Sequence, residues 1–121
     1  MKRFDETGNK MLEPIQVAEQ ILRAIKELGA EGERSKELII AKAEATGEYD
    51  KALGIATTKL KADGCSVSII EKTAKGNVYD LLIKKIVAEE SLKAHYSKLS
   101  RLEAQLNGLQ SINRYLQTVS Q

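Results

Sequence analysis

His95 and Cys65 are the only histidine and the only cysteine in the chain, and they are the side chains best suited to proton transfer or nucleophilic attack. A reactive thiolate needs a neighbouring base or cation to lower its pKa. Cys65 sits beside Asp63-Gly64, whereas His95 lies well inside an uninterrupted helical pattern. The 18 residues from Asn77 to His95 alone separate the two by roughly 27 Å at helical rise. A Cys–His pair within one chain is not expected, and Cys65 reads as an inert small residue. His95 has Leu92 and Leu99 as its helical neighbours, so it reads as a packed or half-exposed structural imidazole whose protonation could make association pH-sensitive. One histidine and one cysteine cannot complete a Cys/His zinc site. Glu89 and Glu90 are adjacent and diverge on a helix, and no calcium-loop spacing occurs. Gly29-Ala30-Glu31-Gly32 lacks the Lys-Ser/Thr and the preceding strand of a phosphate loop. No catalytic, cofactor-binding or metal-ligating residue is assigned, and an enzyme is the least expected class.

Charge offers a second kind of chemistry. Residues 59–85 hold Lys59, Lys61, Lys72, Lys75, Lys84 and Lys85 against Asp63, Glu71 and Asp80. Such a basic corner could track phosphates with salt-sensitive affinity. It contains no arginine and Tyr79 is its only aromatic, so base readout and stacking are weak. A solvated, lysine-rich corner is the alternative. The net charge of +2 does not by itself call for a polyanion.

These residues depend on helices for their placement. Pro14 is the only proline, and it suits a first helical turn. Ile15, Ala18, Leu22, Ile25 and Leu28 predict one apolar stripe, with Gly29 ending that helix and residues 29–33 forming a connector. A second helix over 34–63 carries Leu38, Ala45, Tyr49, Ala52, Ala56 and Leu60 on one face. Gly47 and Gly54 mark either a close backbone approach or a locally weak helix, and Asp63-Gly64 stops the segment. Ser68 and Glu71 predict a capping box for a short helix from Ile69 to Lys75, ending at Gly76.

A third helix over 78–119, roughly 60 Å long, repeats in heptads. Its a positions are Val78, Lys85, Leu92, Leu99, Leu106 and Asn113; its d positions are Leu81, Ala88, His95, Leu102, Leu109 and Leu116. Leu82, Ile83, Ile86 and Val87 widen the apolar face early on. The expected fold is all-α: a long, antiparallel coiled-coil-like hairpin with an added N-terminal helix and a short helix at the corner. Residues 1–12 read as a flexible arm and 13–121 as one helical domain.

The second helix would cover the third as far as about residue 106. Beyond that, either the first helix or a second copy must supply the cover. A dimer is favoured, with Leu92, Leu99, Leu102, Leu106, Leu109, Asn113 and Leu116 as the association seam. Asn113 would fix register if paired across a two-fold axis.

Scarce aromatics leave Leu, Ile, Val and Ala to build the core. A lone cysteine suits a reducing cytosol, and residues 1–10 lack the apolar stretch of a secretory signal. The longest apolar run, Leu38 to Ala41, is far below the roughly 20 residues that span a bilayer.

Four stretches carry a resemblance: Thr58-Lys59-Leu60-Lys61-Ala62-Asp63-Gly64, Val67-Ser68-Ile69-Ile70, Ala74-Lys75-Gly76, and Ala104-Gln105-Leu106-Asn107-Gly108-Leu109-Gln110-Ser111. The pattern resembles that of small helical bacteriophage and prophage proteins whose genes lie among recombination and replication genes. It covers about residues 48–117 and brings no functional residues with it. The resemblance implies a phage-type accessory protein of the bacterial cytosol. The helical seam and the absence of a catalytic cluster predict a non-enzymatic protein acting by protein–protein association, with a partner in recombination or replication by analogy. Direct nucleic-acid binding through the lysine corner and a virion scaffolding role are the alternative expectations.

Overall fold

The computed structural model describes residues 13–119, so the expected arm over residues 1–12 lies outside the described residues. Those described fold into three helices: α1 over Pro14–Ala62, α2 over Val67–Asn77 and α3 over Tyr79–Val119. The fold is all-α, with α1 and α3 as the two long arms of a helical hairpin and α2 at its corner.

Local sequence explains where the helices begin and end. Glu13 caps α1: its backbone N–H donates to Gln16 Oε1 at 3.0 Å, and its carbonyl accepts from Val17 N at 3.1 Å. This is one half of a capping box, with Pro14 at the first helical position. At the other end Gly64 takes φ +79°, which a side chain would strain. Cys65 N then donates to the Leu60 carbonyl at 3.0 Å and Gly64 N to the Lys61 carbonyl at 3.2 Å. That paired bonding is a Schellman ending, and it satisfies carbonyls that the helix leaves open.

Three local expectations are corrected. Residues 29–33 do not form a connector; they are helical, and α1 passes through them unbroken for 49 residues. Gly29 and Gly32 each weaken a helix by about 1 kcal/mol against alanine. The packed face nevertheless runs through them, because Leu28, Glu31, Ser35 and Leu38 keep the same 3-4-3 spacing and are all partly covered. Tertiary contact therefore overrides the propensity of the glycines.

The Ser68–Glu71 capping box does not form either. Ser66 is the N-cap of α2, its carbonyl accepting from Ile69 N at 3.1 Å, while Ser68 Oγ lies 3.0 Å from Ser66 Oγ. Glu71 turns the other way, to Lys75. Helix α2 also runs through Gly76 to Asn77, and Val78 makes the turn into α3.

The third correction concerns which face of early α1 is covered. Ile15, Ala18, Leu22 and Ile25 are exposed, while Val17 and Ala24 are buried and Ile21 and Leu28 half-buried. Both sets have helical spacing, so periodicity could not choose between them; the covered one is in phase with the rest of α1.

The chain divides into two compact units. One comprises Arg34–His95, which includes the second part of α1, all of α2 and the start of α3. Within it, Glu48 pairs with Lys84 and Ser35 with His95, so α1 and α3 run antiparallel. Its core is Ala45, Tyr49, Ile70, Ala74 and Leu92, with His95 also buried. The other unit joins the start of α1 to α3 from Tyr96 onward, with Val17, Ala24, Leu102 and Leu109 buried.

Candidate interaction surfaces

Along α3, the heptad positions are the covered ones. Leu92, His95, Leu102 and Leu109 are buried; Val78, Leu81, Lys85, Ala88, Leu99, Leu106, Asn113 and Leu116 are half-buried. Fully burying a leucine is worth about 1.5–3 kcal/mol, so the buried leucines of this row contribute substantially to stability. Cover comes from within the chain. In one unit it is Ala45 and Tyr49 of α1, together with α2; in the other it is Val17, Ile21, Ala24 and Leu28. The cover left open by the sequence for the end of α3 is thus supplied by the start of α1, where Lys98 Nζ also reaches Glu31 Oε1 at 2.7 Å.

His95 Nε2 and Ser35 Oγ lie 2.6 Å apart, and the imidazole is only 5 % exposed. It is packed in the helical interface beside Leu92. Cys65 is half-buried in the α1–α2 corner, with its Sγ 3.9 Å from the Ser66 carbonyl. Glu89 leans toward Lys85 at 4.0 Å, and Glu90 pairs with Lys93 at 3.3 Å. Among the described residues no three His, Cys, Asp or Glu side chains gather as metal ligands would. No described helix is long and apolar enough to cross a membrane.

The lysine corner is partly neutralised. Lys75 bonds Glu71 at 2.8 Å and Lys84 bonds Glu48 at 3.0 Å. Lys85 lies over the Tyr49 ring, 5.0 Å from its centroid, within cation–π range. Lys59, Lys61 and Lys72 are exposed. The structure therefore leaves three of the six lysines uncommitted, a thin electrostatic footprint for a polyanion.

No family model, curated protein or solved structure matches this chain.

Apolar surface is the more prominent feature. Among the described residues, sixteen large apolar or aromatic side chains remain exposed. Early in α3 these are Tyr79, Ile83, Ile86 and Val87. The expected widening of the apolar face there exists in the sequence, but only Leu82 of the four widening residues is half-covered. On α1 they include Ile15, Leu22, Ile25, Ile39, Ile40 and Ile55, and near the end of α3 Ile112, Tyr115 and Val119.

A shallow hollow beside Leu53, Thr57, Val67 and Ile70 is rimmed by Lys61, Glu71 and Lys75. A Cβ placed on Gly47 or Gly54 would meet nothing within 4 Å beyond its own stretch of helix, so among the described residues no other backbone approaches closely there. Thr57 and Thr58 instead return their hydroxyls to the Leu53 and Gly54 carbonyls at 2.8 and 2.9 Å, a local bonding mode that tolerates and bends helices.

Exposed, heptad-spaced apolar residues are what sequence periodicity alone could not separate from core. The signal that would have found them is phase: Ile15, Ala18, Leu22 and Ile25 are out of step with Leu38, Ala45 and Tyr49 over one continuous helix.

Proposed function

We propose that this chain is a non-enzymatic helical interaction protein that works by protein–protein association. One observation carries the reading. Each long helix spends one stripe on intramolecular packing, yet retains further large apolar side chains on other faces. Soluble monomers rarely keep contiguous apolar patches unless another surface covers them. The helices offer extended faces of the kind that take a partner helix by coiled-coil-type packing. The resemblance to small phage proteins adds a setting, an accessory role beside recombination or replication in a bacterial cytosol, by analogy alone.

Sedimentation velocity over a concentration series tests for self-association, and chemical cross-linking in the source cell, followed by binding to the purified candidate, tests for a foreign partner. Saturable binding whose strength falls when an exposed isoleucine is changed to glutamate supports the reading. A chain that stays monomeric and binds no purified candidate would overturn it.

A further inference from the structure

We propose that the Ile15–Ala18–Leu22–Ile25 stripe of α1 pairs with the same stripe of a second copy, antiparallel about a two-fold axis. The inference rests on the association reading above and names its partner. Ile15 is 68 % exposed, Leu22 67 % and Ile25 49 %, and Ala18 is exposed between them. Their 3-4-3 spacing is that of a helix-packing seam, separate from the Val17–Ile21–Ala24–Leu28 row already covered inside the chain. Beyond Ile25 the stripe meets Gly29 and Gly32, which carry no side chain to extend it.

Charge selects both the partner and the direction. Glu19 and Lys26 flank the stripe on one side, seven residues apart, and both are exposed. In an antiparallel pair with Ile15 facing Ile25 of the second copy, and Ala18 facing its Leu22, Glu19 of each chain lies beside Lys26 of the other. Two opposite-charge contacts form across one symmetric interface. A parallel pair would instead set Glu19 against Pro14 and Lys26 against Ile21, leaving both charges unmatched. The stripe covers about three helical turns, so the interface falls at the small, weak end of specific contacts. Dimer therefore accumulates with concentration.

The test is sedimentation velocity on the full chain, as a concentration series in low salt with reductant, comparing wild type with Glu19→Lys, Lys26→Glu, the double reversal and Leu22→Glu. Each single reversal replaces two attractive contacts with two repulsive ones and should weaken dimerisation on the order of tenfold. The double reversal should restore it, and Leu22→Glu should abolish it. Because these side chains are exposed, far-UV circular dichroism should show unchanged helix content in every variant. A wild type that remains monomeric overturns the proposal, even if the chain binds another protein and the broader reading survives. A wild type that dimerises equally well in all four variants overturns it too, by placing self-association on another face.

Discussion

His95 Nε2 and Ser35 Oγ meet at 2.6 Å across the α1–α3 packing of one compact unit, with the imidazole almost fully covered. Both residues occupy interface positions where an apolar side chain would pack without a hydrogen-bonding demand. Such a polar contact gives little net stability but is expensive to break on one side only. It also ties one turn of α1 to one turn of α3, because sliding either helix separates the pair.

Ser35→Ala should therefore destabilise the chain by about 1–2 kcal/mol in urea unfolding, by removing the hydroxyl that meets the buried ring across the two helices. Ser35→Ala combined with His95→Leu should lose less than the sum of the two single changes, since the contact between them is removed only once. The double-mutant cycle measures the coupling. If the single and double variants lose stability additively, the contact has no special role in the interface.

Burial separates two leucines of similar sequence character. Leu102 is buried between helices and Leu22 faces outward. Leu102→Ala should cost about 2–5 kcal/mol, the range for emptying a packed site. Leu22→Ala should leave unfolding of the dilute monomer within a few tenths of a kcal/mol. Thermal and urea melts at low concentration check both, and comparable losses would mean the assigned inward face of α1 is out of phase.

That contrast marks how far the sequence could be read. Helix class, the α2 corner, the stop at Asp63-Gly64 and the Leu92–Leu116 periodicity follow from spacing and turn chemistry, all of which act locally. The phase of early α1 does not. Val17 and Ile21 compete with Ile15 and Leu22 as equally regular stripes, and only phase with Leu38, Ala45 and Tyr49, carried through the expected stop at Gly29, decides between them. The same holds at Gly29, where a local stop signal yields to packing that begins at residues far along the chain. The site residues divide likewise: His95 was legible as a structural imidazole on the helical seam, packed or half-exposed, but its contact with Ser35, 60 positions away, left no mark in the pattern. For Lys84 and Lys85 too, the partners Glu48 and Tyr49 come from another helix.

The Glu71–Lys75 pair on α2 predicts a pH signature. The hydrogen bond from Lys75, and then its charge, hold the Glu71 carboxyl below its ordinary pKa; the reciprocal contacts raise that of Lys75. A depressed carboxyl stabilises above its unfolded pKa and loses that contribution as pH falls through the folded value. A raised ammonium stabilises below its unfolded pKa and loses its contribution as pH rises through the folded one. The pair's support for α2 should thus persist across neutral pH and fade at both extremes. Both groups lie at the surface, so the effect on global stability is small. NMR titration of the Glu71 side chain should show the lowered midpoint, and Lys75→Gln should return it to the usual carboxylate range; no change in that variant would assign the shift elsewhere.

Two kinds of glycine give the last prediction. Gly29 and Gly32 lie inside α1 with no atom within 4 Å of where a Cβ would stand, and neither has a positive φ. Each alanine substitution should stabilise the chain by about 0.5–1 kcal/mol, through helix propensity and a smaller unfolded ensemble. Gly64 also has open space around its missing Cβ, but its φ of +79° is strained for any L side chain. Gly64→Ala should lose about 1–2 kcal/mol and fray the end of α1. Opposite signs in urea unfolding would verify a helix continuous through residues 29–33 and ending at 62. A loss at Gly29 matching that at Gly64 would instead restore a break there and divide α1 in two.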